Sequence, residues 1–220
     1  ISLETIEDEY NAMDEDTFRR DRLGEWDDDG ADTVIPLVPW EQAADEGLTL
    51  VHDLVVAIDT SPNRSTTSVV LAGLTADRKK RGIRLVARGG GTDWVMPLVR
   101  KIVHENDGVR AVVIDSASPA SSMIEILQQR FQVRVTTLQT RHMAMACGQA
   151  YDGFVNGDYK HDGSTEMTAA MLGSAKRDLQ DSWGLSRKRA EVDISAFVAG
   201  VLALYGVALK KVERPKIGER

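Results

Sequence analysis

The chain is poor in cysteine. Cys147 is the only one, which excludes an internal disulfide framework and any cysteine-rich zinc site. A reducing compartment suits such usage. No run of 18 apolar residues occurs, so no membrane-spanning helix is expected. No glycine-rich loop is followed by Lys and then Ser or Thr, so a nucleotide phosphate loop is also missing. The N-terminus lacks the apolar stretch of a signal peptide and lacks an initiator Met, so the chain is expected to be a piece of something longer.

What is present is asymmetric charge. The net charge of −7 argues at first against a polyanionic partner. Residues 1–53, however, carry 17 acidic and 3 basic side chains, and the remainder carries 17 acidic and 24 basic. The acidity sits in the leader and the body is basic, which admits a nucleic acid as readily as an ordinary solvated surface. Residues 1–49, with the run Asp27-Asp28-Asp29-Gly30, read as an acidic connector. Within it, residues 6–23 are a candidate short helix. Residues 34–40, with Pro36 and Pro39, read as an extended tether, and Pro39-Trp40-Glu41-Gln42 is a candidate helix start. The ordered domain is expected over 50–220, hydrophobic enough at 42% for the whole chain to build a core.

Leu54-Val55-Val56-Ala57-Ile58 is a continuous apolar run, the pattern of a strand buried on both faces. It stops at the turn cluster Asp59-Thr60-Ser61-Pro62-Asn63. Residues 68–74 and 82–88 follow as strands joined by a charged loop at Asp77–Arg81, predicting an antiparallel meander. Residues 93–105 have helical spacing, with Asp93 as candidate N-cap. Residues 109–114 form a fourth buried strand ending at Asp115. Ser118-Pro119 opens the next helix, and residues 133–138 are a fifth strand. The order is therefore β-β-β-α-β-α-β, then helices, an α/β pattern with five strands. Later helices are expected over 141–155, 165–179 and 193–209, with a short strand at 183–187 pairing with Tyr159–His161.

Two aspartates end buried strands, Asp59 and Asp115, and a third, Asp193, precedes the last apolar helix. Parallel neighbouring strands would bring Asp59 and Asp115 to one sheet edge, and the helix N-terminus would bring Asp193. Three clustered carboxylates repel one another unless a hard divalent cation sits among them. Two such ions about 4 Å apart activate water and stabilise a leaving oxygen in phosphodiester hydrolysis. Each residue alone also suits a plain structural role, Asp59 and Asp115 as turn formers and Asp193 as a helix cap.

The strings Val55-Val56-Ala57-Ile58-Asp59, Ala111-Val112-Val113-Ile114-Asp115 and Asp193-Ile194-Ser195 before an apolar helix resemble the nuclease domains of tailed-phage terminase large subunits. Phe18-Arg19-Arg20-Asp21-Arg22-Leu23-Gly24-Glu25-Trp26 resembles the segment leaving the packaging ATPase. Asn156-Gly157-Asp158-Tyr159-Lys160-His161 resembles the turn before a late helix, and the basic stretch Trp183–Arg189 a hairpin before the last acid. Ala196 departs from the proline that many relatives place after the Asp-Ile-Ser triplet. The resemblance implies a ribonuclease-H-like fold, a mixed five-stranded sheet flanked by helices, with Asp59, Asp115 and Asp193 as catalytic metal ligands for two magnesium or manganese ions (Mg2+ or Mn2+). It implies cutting of concatemeric double-stranded DNA during genome packaging in the host cytoplasm. The expected partners are an ATPase domain in the full-length chain, a portal protein and a small terminase subunit, with no membrane.

Lys176, Arg177, Arg187, Lys188 and Arg189 are the candidate DNA-phosphate contacts, with a solvated surface as the competing reading. Asp158 and His161 are candidate auxiliary groups, and Asp178 and Asp181 candidates for a fourth acid. Met143, Met145, Met167 and Met171 read as core filler. Gly89-Gly90-Gly91 reads as a turn. A junction resolvase or ribonuclease of the same fold, and a non-catalytic docking module of a packaging motor, are the alternatives.

Overall fold

A computed structural model describes residues 33–106, 108–179, 182–190 and 192–209. The candidate helix at 6–23, the acidic run at 27–30, the segment 18–26 and Asp181 lie outside the described residues. The elements are α1 (Leu37–Ala43), β1 (Leu50–Thr60), β2 (Thr66–Thr75), β3 (Arg81–Gly90), α2 (Val95–Glu105) and β4 (Val109–Asp115). A 3-10 turn (Pro119–Met123) leads into α3 (Ile124–Gln129), followed by β5 (Val135–Leu138), α4 (Thr140–Val155), β6 (Tyr159–His161) and α5 (Thr165–Leu172). The hairpin β7 (Ala175–Leu179) and β8 (Ser182–Ser186) precedes α6 (Ser195–Ala208).

The mixed sheet runs β5-β4-β1-β2-β3-β6. β1 is antiparallel to β2 and parallel to β4. Strand alternation sorts the apolar run of β1 between two cores. Val55, Ala57 and, on β4, Val113 face the core built with α1, α4, α5 and α6. Val56, Ile58, Val112 and Ile114 face the core built with α2 and α3. That double coverage is why the run is uninterrupted.

α6 is apolar all round and is buried from Ser195 through Gly206, as a helix without a polar face must be. It lies close against the sheet. A Cβ at Gly206 would stand 2.7 Å from Val113 Cγ2, so only glycine fits. Its C-terminal carbonyls are capped across the sheet by Arg110, which donates to Gly206 O and Val207 O at 2.7 Å and to Leu209 O at 2.9 Å. Among the described residues, no helix is long and apolar enough to cross a membrane.

Three expectations need correction. The sheet has six strands, because Tyr159–His161 adds to β3 in parallel rather than pairing with residues 183–187. Residues 182–186 pair instead with 175–179, where a helix was expected to continue. α5 ends at Leu172 with Gly173 as its C-cap, where a Cβ would clash with Val192 Cγ2. Finally, the compact unit begins at Thr33, not near Leu50. Val34, Ile35, Trp40, Ala43 and Leu48 are core residues, so 33–49 is no tether. Pro36 caps α1 and Pro39 lies in its first turn, where a missing N–H costs nothing.

Candidate active site

Asp59 and Asp115 meet because of strand register. β1 and β4 are parallel with Ile58 opposite Ile114, so the next residue on each strand emerges on the same face, the one covered by α6. Across β2 and β3 the register runs Asp59, Ser68, Arg88. The start of α6 closes over this row. Ser195 Oγ lies 2.8 Å from Ser68 Oγ, and Arg88 Nη2 donates to Asp193 Oδ1 at 3.3 Å. Asp193 is thereby held beside the row that begins at Asp59.

The three carboxylates differ in environment. Asp59 is fully buried, with Oδ1 accepting from Arg187 Nη2 at 2.5 Å and Oδ2 without a hydrogen-bond partner among the described residues. Burial pushes its carboxyl up to about 6 from 3.8; Arg187 pulls it down, and the charges of Asp115 and Asp193 push it further up. Those two charges are therefore near enough to be felt. Asp115, 5% exposed, accepts from Ala117 N at 2.9 Å and so also performs the turn-forming role. Asp193 is the most open, with a side chain 20% exposed. Two clefts of about 310 Å³ each flank Arg187, one lined by Asp193, Ser61 and Asn63, the other by Asp115, Arg177 and Lys188.

The set is all hard oxygen, and a buried carboxylate oxygen without a partner is what a cation would satisfy. The side chains as placed stop short of a finished site. Asp59 is engaged by Arg187, and among the described residues no three acidic, His or Cys side chains already stand in position to hold a metal.

Of the basic candidates, Arg177, Arg187 and Lys188 line the Asp115 cleft. Lys176 is turned to packing, its Nζ 5.1 Å from the Trp183 ring centroid and 5.6 Å from that of Tyr151. Arg189 lines neither cleft. Asp158 and His161 are not brought to the site. They lie where β6 meets Arg81–Ile83, the end of β3 remote from Arg88. His161 is 1% exposed and stacks on Trp40, with ring centroids 4.0 Å apart. Its Nδ1 accepts from Gly163 N, so Nε2 carries the proton and donates to Trp40 O at 2.9 Å. Burial lowers its pKa, and it serves as a neutral core residue. The sequence reading missed Arg88 and Ser68. Their signal, register with Asp59, exists only once strands are paired.

Neither a protein-family model nor a curated protein matches the sequence. Solved structures do match by shape. The bacteriophage HK97 large terminase superposes with a TM-score of 0.65 at 12% identity, over 79% of this chain and 43% of that one. The large terminase nuclease from thermophilic phage G20c with bound magnesium gives 0.57 at 13%, over 80% of this chain and 97% of that one. This is the large-terminase nuclease fold. The nuclease domain of the large terminase subunit of bacterial virus Sf6, with manganese, gives 0.52 at 15% over 79% and 98%. The chain thus spans less than half of the HK97 terminase but nearly all of the terminase nucleases from G20c and Sf6. The ribonuclease-H-like architecture is the one the terminase resemblance implied, with a sixth short strand added.

Proposed function

We propose that this domain is a divalent-metal-dependent endonuclease that cuts double-stranded DNA, the nuclease part of a phage terminase large subunit. One observation supports the reading: the ends of β1 and β4 and the start of α6 bring Asp59, Asp115 and Asp193, far apart in sequence, to one end of the sheet, where Asp59 Oδ2 is buried and has no hydrogen-bond partner among the described residues. Asp59, Asp115 and Asp193 would hold magnesium or manganese, two ions as the terminase resemblance implies, with substrate phosphates completing the shell. Bound there, the ions supply activation of a water and charge stabilisation of the leaving oxygen. Arg177 and Lys188 beside Asp115 are suited to hold flanking phosphates in place by charge. Asp59 would ligate through Oδ2 while Oδ1 stays paired with Arg187. In the full-length chain the partners are an ATPase domain, with residues 1–32 in the connector, and a portal and small subunit in the host cytoplasm.

The test is supercoiled and linear plasmid incubated with magnesium, manganese or chelator. Cutting is expected with metal only, and Asp59→Asn, Asp115→Asn and Asp193→Asn should each abolish it while the circular dichroism stays unchanged. Undiminished cutting by a folded single variant removes that residue from the site. Much faster cutting of branched DNA or an RNA–DNA hybrid would move the assignment to a resolvase or ribonuclease. The Asp59–Arg187 pair favours a second reading, a non-catalytic docking module in which the acid is structural. Calorimetry with manganese separates the two, since a docking module takes up none.

A further inference from the structure

We propose that Ser68 and Ser195 form a one-way hydrogen-bond relay that fixes the Asp193 carboxylate for cation binding. The proposal rests on the nuclease reading and adds two positioning residues to it. Ser195 Oγ donates to Asp193 Oδ1 at 2.5 Å. A serine hydroxyl has one proton, so the 2.8 Å contact between Ser195 Oγ and Ser68 Oγ must be donated by Ser68. The chain therefore runs from Ser68 on β2, through Ser195 at the first turn of α6, to Asp193. Ser68 is the in-register neighbour of both Asp59 and Arg88, so the relay ties the Asp193 carboxylate to the strand row that also carries Asp59.

Burial sets this apart from an incidental contact. Ser68 is 0% and Ser195 2% exposed, at the polar end of an interface between α6 and the sheet whose α6 side is apolar from Ala196 onward. A pair of hydroxyls there costs desolvation that alanine would avoid. Ser195 is not spent on the ordinary task of capping, because α6 begins without a side-chain cap. The contacts of Asp193 all fall on one oxygen. Oδ1 accepts from Ser195 Oγ, from Ser195 N at 3.4 Å and from Arg88 at 3.3 Å. Among the described residues Oδ2 has no hydrogen-bond partner. One oxygen is clamped and the other is kept for a ligand, the division that outer hydrogen bonds impose on metal-binding carboxylates. Donation by Ser68 also makes the Ser195 hydroxyl a stronger donor, because hydrogen bonds in series polarise one another.

Because Ser68 acts only through Ser195, the two effects should not multiply. Manganese binding by calorimetry and plasmid cutting against manganese concentration are measured on the whole chain for wild type, Ser68→Ala, Ser195→Ala, the double variant and Ser195→Thr. Ser195→Ala should weaken manganese binding by about tenfold or more and raise the half-saturating concentration for cutting in step. The maximal rate at saturating metal should hold. Ser68→Ala should shift both in the same direction by less, the double variant should match Ser195→Ala, and Ser195→Thr should restore most of the affinity. Wild-type affinity in Ser195→Ala, or a double variant weakened by the product of the two single effects, overturns the relay. If Ser195→Ala does not fold, unchanged affinity in Ser68→Ala overturns it equally. A wild-type chain that binds manganese and cuts, beside an unaffected Ser195→Ala, defeats the relay alone. A wild-type chain that does neither defeats the nuclease reading with it.

Discussion

Replacing Asp59 by Asn should make the protein more stable and inactive. Asp59 is buried without full compensation, and its carboxyl is pushed from 3.8 to about 6. The folded state thus holds this proton more tightly than the unfolded chain does. The sign follows: the contribution favours folding fully below pH 3.8 and is lost as pH rises through about 6. The size of the rise corresponds to about 3 kcal/mol. At pH 7.5 the wild-type domain keeps this carboxylate ionised at that cost. Asn stays neutral at every pH and still offers its carbonyl oxygen to Arg187. In chelator at pH 7.5, Asp59→Asn should exceed wild type by up to about 3 kcal/mol, or about 6–12 °C in melting temperature for a chain of this length. The two should converge below pH 4. Manganese should reverse the order, because binding to the folded wild type stabilises it by mass action. Thermal melts from pH 4 to 8, with chelator and then with manganese, give all these comparisons. A lower melting temperature for Asp59→Asn at pH 7.5 in chelator would refute the reasoning. The Asp59–Arg187 pair would then be a net stabilising ion pair, and the case for a cation at that place would fall.

Two further outcomes follow from side-chain placement. Arg177→Ala and Lys188→Ala should each reduce the slope of log affinity for duplex DNA against log salt by about one, read by fluorescence anisotropy. Lys176→Ala should leave it nearly unchanged, because that ammonium is packed on Trp183 and Tyr151. Trp40→Ala should cost about 3–5 kcal/mol by urea unfolding, since the indole fills the core between Phe154, His161 and Phe197. A cost under about 1 kcal/mol would return residues 33–49 to the role of a tether.

How much the sequence disclosed varied with the range of the forces involved. The buried strands were legible because burial on both faces leaves uninterrupted apolar runs, as in Leu54–Ile58, and because aspartate ends them. The short β6 was read as a strand but with the wrong partner, and the solvent-facing β7 was not read as a strand. Three residues carry no period, and Lys176-Arg177-Asp178 is exposed on a hairpin away from the main sheet, where no alternation is needed. The start of the domain was hidden by averaging. The acidic composition of the leader masks Val34, Ile35 and Trp40, which reach the core individually.

The site shows the same limit more sharply. Aspartates at strand ends can be read from local pattern, but what each carboxylate meets depends on partners far along the chain. Arg187 stands 128 residues from Asp59, and Ser68 stands 127 residues from Ser195. Neither pairing leaves a local signal, yet they separate the roles of the acids. Asp59 sits deepest, where the apolar run that makes β1 a good central strand also strips its charge of water. Asp193 sits at the rim, two residues before a helix that is itself apolar, so its orientation depends on the few polar groups at that end. The same burial that secures β1 in the core makes the Asp59 carboxylate costly to ionise. A positive charge is what the arrangement requires, and Arg187 neutralises only one oxygen of Asp59.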